Sequence, residues 1–113
     1  MRHMRKERHY SETVRHAAQL LGSQVRQGRI QRQWTVRQLA ERAQISTNTL
    51  LKVEHGDPTV ALGIAFDLAV LVGVPLFFDD RERLKSEARR ETERTALLAQ
   101  RVRPTAEEPD YDF

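Results

Sequence analysis

Within six residues the chain places Thr47, Asn48 and Lys52, which carry a hydroxyl, an amide and an ammonium group. Groups of these types hydrogen-bond to the edges of nucleic-acid bases and to phosphates. Ser46, Thr49 and His55 stand beside them and add further donors and acceptors. No Asp or Glu occupies the N-terminal half of this segment, where a carboxylate would repel a polyanion.

Other chemistries find less support. His55 adjoins Glu54, but adjacent residues on a helix point apart. His16 stands alone, and His3 and His9 lie among charges without a metal-ligand partner. The chain has no Cys, which removes disulfides, thiolate zinc sites and Cys nucleophiles. No catalytic, metal or cofactor site is expected, and the chain does not read as an enzyme.

The elements that would position Thr47, Asn48 and Lys52 follow from caps and apolar spacing. Thr35 caps a short helix from Val36 to Ala43, with Leu39 and Ala40 facing inward. Gln44-Ile45 makes a brief connection. Ser46 caps a second short helix running to about His55, with Leu50 and Val53 buried. Gly56 supplies the stop and Asp57-Pro58 completes the break. Two short helices so joined form a helix-turn-helix unit. Upstream, Ser11 is a candidate N-cap, and Leu20, Leu21, Val25 and Ile30 give rough helical spacing. Gly28 is a weak spot that a packed helix tolerates.

Residues 59–78 contain one charge, Asp67, in twenty positions. A helix apolar on all sides is normally buried on all sides. Leu62, Leu68 and Leu71 read as core. Phe66, Val70, Phe77 and Phe78 exceed what one small core can hide, so they are expected to face a second subunit. From Asp79 the composition turns to charge, and a long helix is expected with acids at its start, where the helix dipole favours them. Leu84, Ala88, Glu91, Thr95, Leu98 and Val102 form a thin stripe along it, and Glu91 argues against a strong coiled coil. Pro104 ends that helix.

The 113 residues suffice for one small domain with appendages, and 39% are hydrophobic. The net charge of +3 conceals an uneven distribution. Residues 1–33 carry eight Lys/Arg against two Glu, whereas residues 104–113 carry four acids and no base. A basic head suits phosphates. The acidic end, with Tyr111 and Phe113, is expected to be disordered when alone and suited to a basic, partly apolar groove on another protein. The opening residues are basic without an apolar run and do not read as a secretory signal. No apolar stretch reaches the roughly 18 residues that span a membrane. A cytoplasmic, nucleoid-associated protein is expected.

Residues 21–76 resemble the phage-repressor-like (Xre, Cro type) helix-turn-helix family. The resemblance rests on Leu21-Gly22, Arg29, Thr35-Val36-Arg37-Gln38-Leu39-Ala40, Ile45-Ser46, Val53-Glu54-His55-Gly56, Leu68 and Gly73-Val74. It implies five helices, the third lying in the DNA major groove, with Thr47, Asn48 and Lys52 at base-reading positions. An Asn amide suits adenine, and Lys suits guanine acceptors or a phosphate. Val36 departs from the Gln usual at the start of the family's second helix, so Thr35 or Arg37 is expected to replace that contact. The resemblance also implies a buried Arg29–Glu54 pair that staples the first helix to the end of the third. The segment VPLFFDDRERL, the charged helix ending RVRP and the DYDF end look like small antitoxins of the HipB type, which repress their own promoter and bind a kinase-like toxin of the HipA type.

The expected fold class is all-α: a five-helix repressor-like helix-turn-helix domain with a long charged C-terminal helix and a disordered tail. The expected parts are a basic arm (1–10), a DNA-binding and dimerisation domain (11–78), a charged helix (79–103) and an acidic tail (104–113). The expected DNA contacts are Thr35, Arg37, Ser46, Thr47, Asn48, Thr49, Lys52 and His55. The expected partners are a palindromic operator in double-stranded DNA, a second copy of the chain and a kinase-like toxin. A stand-alone phage-type or restriction-modification regulator shares all of residues 21–76, so only the C-terminal extension separates the two readings. An adaptor without DNA binding is disfavoured by Asn48 and Lys52.

Overall fold

The computed structural model describes residues 8–102. Expectations for residues 1–7 of the basic arm and for the acidic tail lie outside the described residues. Among the described residues the fold is all-α, with five helices and no strand. They are α1 (Glu12–Gln31), α2 (Val36–Ala43), α3 (Thr47–Glu54), α4 (Leu62–Val72) and α5 (Arg81–Val102). The chain divides into two compact units, Met1–Leu76 and Phe77–Phe113. The division falls two residues before the turn to charge at Asp79.

In the first unit, α1 packs on α3 and α4, and α2 packs on the same two helices. Val25, Leu39, Ala40, Leu50, Val53, Leu68 and Val72 form the buried core. Each fully buried Leu contributes about 1.5–3 kcal/mol of transfer free energy. Leu39 and Ala40 on α2, and Leu50 and Val53 on α3, are buried as their spacing predicts. On α1 only part of the expected set turns inward. Val25 is fully buried, whereas Leu20 is 62% exposed and Ile30 is also exposed. The reason is angular: Leu21 and Val25 are one helical turn apart and share a face, while Leu20 lies about 100° away from Leu21.

Two glycines let α1 approach its neighbours. A Cβ on Gly22 would collide with the main-chain carbonyl of Val53, and one on Gly28 would stand 2.7 Å from the Cβ of Val72. Gly28 is therefore the point where α1 meets α4 backbone to side chain, with packing in place of the lost helix propensity.

The apolar run 59–78 is not one helix. α4 occupies only Leu62–Val72, with Gly73 as a left-handed C-cap. Pro75, two residues beyond, cannot extend the helix. Leu68 is core and Leu71 is half-buried, but Leu62 is 66% exposed at the first turn, contrary to its expected core position. Phe66 is half-buried and Val70 is exposed.

In the second unit, Asp80 starts α5: its side chain accepts from Glu82 N at 2.9 Å and its carbonyl from Leu84 N. No described residue of α5 is buried. Ion pairs Arg90–Glu87 and Arg94–Glu91 lie along its surface. Phe77 is 80% exposed, and the Arg83 guanidinium sits 4.5 Å over the ring of half-buried Phe78.

Candidate nucleic-acid interface

The helix-turn-helix is held by side-chain caps at both helix starts. Thr35 Oγ1 accepts from Gln38 N at 3.0 Å, and Gln38 Oε1 accepts from Thr35 N at 2.8 Å. This reciprocal pair satisfies two main-chain donors that a helix start leaves without partners. The turn is Gln44-Ile45-Ser46. Gln44 takes the left-handed conformation, φ 60°, and Ile45 N returns to the Ala40 carbonyl at 3.0 Å. Ile45 packs against the core and so anchors the turn from beneath. Ser46 Oγ accepts from Thr49 N and donates to Thr49 Oγ1, both at 3.0 Å.

Burial then sorts the faces of α3. Leu50, Val53 and Glu54 are buried; Thr47, Asn48, Leu51, Lys52 and the following His55 are exposed. Thr49 is half-buried and Ser46 is exposed. The exposed positions share one side of the helix; Glu54, the only carboxylate of α3, lies at the edge of that side, but its side chain is buried in the pair with Arg29. The side presented to solvent is polar and carries no negative charge.

The far end of α3 is fixed by Arg29. Its Nε donates to Glu54 Oε2 at 2.7 Å and its Nη2 to Glu54 Oε1 at 3.0 Å. Its Nη1 also donates to the Trp34 carbonyl at 3.1 Å. The Glu54 side chain is 2% exposed. The hydrogen bond to Glu54 holds the Arg29 guanidinium pKa above its ordinary value, against the opposing effect of burial. One guanidinium thus ties α1, the loop before α2 and the last residue of α3.

Basic groups surround the second helix. Arg37 is exposed and lies 3.5 Å from Glu41 on the same helix, an exposed pair of little strength. The half-buried Trp34 carries the Arg42 guanidinium 4.2 Å from its ring and that of Arg32 at 5.8 Å. Sequence reasoning named none of these three residues. The single Trp directly before a capping Thr was the available signal. Val36 is half-buried against the core and offers no polar group. Leu51, also passed over, is on the exposed side of α3 at helical spacing from Thr47 and Asn48. Among the described residues no cluster of His, Cys, Asp or Glu could hold a metal ion. No described helix is long and apolar enough to cross a membrane.

This arrangement defines a helix-turn-helix domain, a class of DNA-binding regulators. A family model described as a helix-turn-helix domain matches residues 20–84, more than half of the chain, and the chain belongs to that family. No curated protein and no solved structure matches it.

Proposed function

We propose that the chain is a sequence-specific transcriptional repressor that binds a palindromic operator as a homodimer. The observation that carries this reading is the uncharged-to-basic side of α3, held rigid by the Ser46 cap at one end and the Arg29–Glu54 pair at the other. Asn48 and Lys52 read base edges, Thr47 assists them, and Thr35, Arg37, Ser46, Thr49 and His55 hold the backbone of the duplex. Phosphate contacts of this kind set register, while the base contacts specify sequence. Phe66 and Val70 on α4, and Phe77 and Phe78 at the start of the second unit, are the apolar side chains offered to a second copy.

The repressor is further proposed to be an autoregulating antitoxin for a HipA-like kinase toxin. The support is α5, a helix of 22 residues with no buried position, followed in sequence by an acidic, aromatic end. Most helical stability in proteins comes from packing an apolar face, and α5 buries none of its own.

Selection of duplexes from a random pool by the full chain tests the main reading. The expected product is a two-fold symmetric sequence with half-sites about 34 Å apart, one helical turn. A pool that shows no enrichment overturns the proposal. Isolation of the native protein bound to a kinase-like protein separates the antitoxin from the stand-alone regulator.

A further inference from the structure

Leu51 is 37% exposed, in the middle of the polar side of α3. It follows Thr47 by four residues and Asn48 by three, so its side chain neighbours both. Helical side chains lean toward the N-terminus, and the Leu51 isobutyl group therefore covers the turn that carries Thr47 and Asn48. Lys52, four residues after Asn48, stands beyond Asn48 on the same side of the helix. Leu51 is not one of the buried core residues, among which Leu50 and Val53 are the members from α3. Single exposed leucines are common on protein surfaces, and Leu20 and Leu62 are two in this chain. Leu51 differs from them because its hydrogen-bonding neighbours make up the proposed reading surface.

We propose that Leu51 is a specificity-determining residue that contacts the C5-methyl group of a thymine beside the base read by Asn48. Thymine alone among the four bases presents a methyl group in the major groove, and apolar side chains discriminate it by contact. The inference rests on the reading that α3 enters the groove. It adds to that reading a preference which hydrogen bonding cannot supply.

The test removes the methyl group from the base and the isopropyl group from the side chain. In the duplex selected by the full chain, each thymine is replaced singly by deoxyuridine, which keeps the pairing edge and lacks the methyl. Binding is measured for the wild type, Leu51→Ala and Leu51→Met, and thermal melting checks that both variants fold. One thymine per half-site is expected at which deoxyuridine weakens wild-type binding about four-fold, the effect of one buried methyl. Leu51→Ala is expected to be indifferent to that replacement, and Leu51→Met to retain most of the preference. Equal penalties for the wild type and Leu51→Ala at every thymine overturn the role of Leu51 while leaving DNA reading intact. A wild type that selects no duplex overturns the DNA reading and this inference together.

Discussion

Arg29 on α1 holds both carboxylate oxygens of Glu54, the last residue of α3, at 2.7 and 3.0 Å. The pair lies 25 residues apart in sequence and spans the helix-turn-helix. Removing Arg29 leaves a buried carboxylate without its partner, at a cost of about 3–5 kcal/mol. Arg29→Met is expected to lower Tm by more than about 10 °C. The double variant Arg29→Met/Glu54→Leu is expected to recover much of the loss, since it leaves no charge buried alone. Thermal melts of the single and double variants check this, and an additive double variant would refute it.

Asn48 and Arg37 are expected to fail in different ways. Asn48→Ala should lose about 1–3 kcal/mol of discrimination between operator and scrambled duplex. Arg37→Ala should weaken both duplexes alike and reduce the salt slope by about one, because a phosphate contact carries no sequence information. Its ion pair with Glu41 is exposed and offers little competition. Titrations at several salt concentrations distinguish the two, and equal losses on both duplexes for Asn48→Ala would remove it from the reading set.

The loop between α3 and α4 carries a pH-dependent contact. Asp57 Oδ1 accepts from Thr59 Oγ1 at 2.6 Å and Thr59 N at 2.8 Å. These bonds, the side-chain one first, hold the Asp57 carboxyl below its ordinary pKa. A depressed folded-state pKa adds stability above the unfolded value, and that stability is lost as pH falls through the folded value. The wild type is therefore expected to exceed Asp57→Asn in urea midpoint at pH 7. The gap should begin to close below about pH 4 and vanish in stronger acid. A gap that stays constant with pH would show that the charged form of Asp57 contributes nothing.

The caps of this fold were readable because each consists of one side chain followed by its own helix. Ser11, Thr35 and Ser46 all precede apolar positions at helical spacing, and all three accept a main-chain N–H. The Thr35-x-x-Gln38 box was equally local and was passed over. What escaped depends on distant atoms. Gly22 and Gly28 owe their roles to Val53 and Val72, which no local pattern identifies. Leu20, Ile30 and Leu62 are apolar, yet only the packed fold decides which side of a helix is inside. The end of α4 was hidden because Gly73 and Pro75 sit within a run whose only charge is Asp67, and its hydrophobicity masked the stop signal. On α3 the polar side chains pointed to the candidate interface, and Leu51 was missed because it lacks hydrogen-bonding groups.

The proposed dimer sets the last expectation. Val70 is an exposed apolar side chain on α4, a helix whose only charge is Asp67. If this face meets a second copy, the native chain scatters light at micromolar concentration as twice 13.1 kDa. A micromolar dissociation constant corresponds to about 8 kcal/mol. A carboxylate placed on a desolvated face costs several kcal/mol, enough to move dissociation toward the millimolar range. Val70→Asp and Phe77→Asp are therefore expected to scatter as monomers while keeping the helical circular dichroism of the wild type. They should bind a single half-site as the wild type does and lose the gain from the second, because each recognition helix is intact and only its partner is missing. A wild type that stays at 13.1 kDa, or variants that remain dimers, would remove α4 and the Phe77 segment as the dimer surface, and a monomeric wild type would weaken the palindromic operator with them.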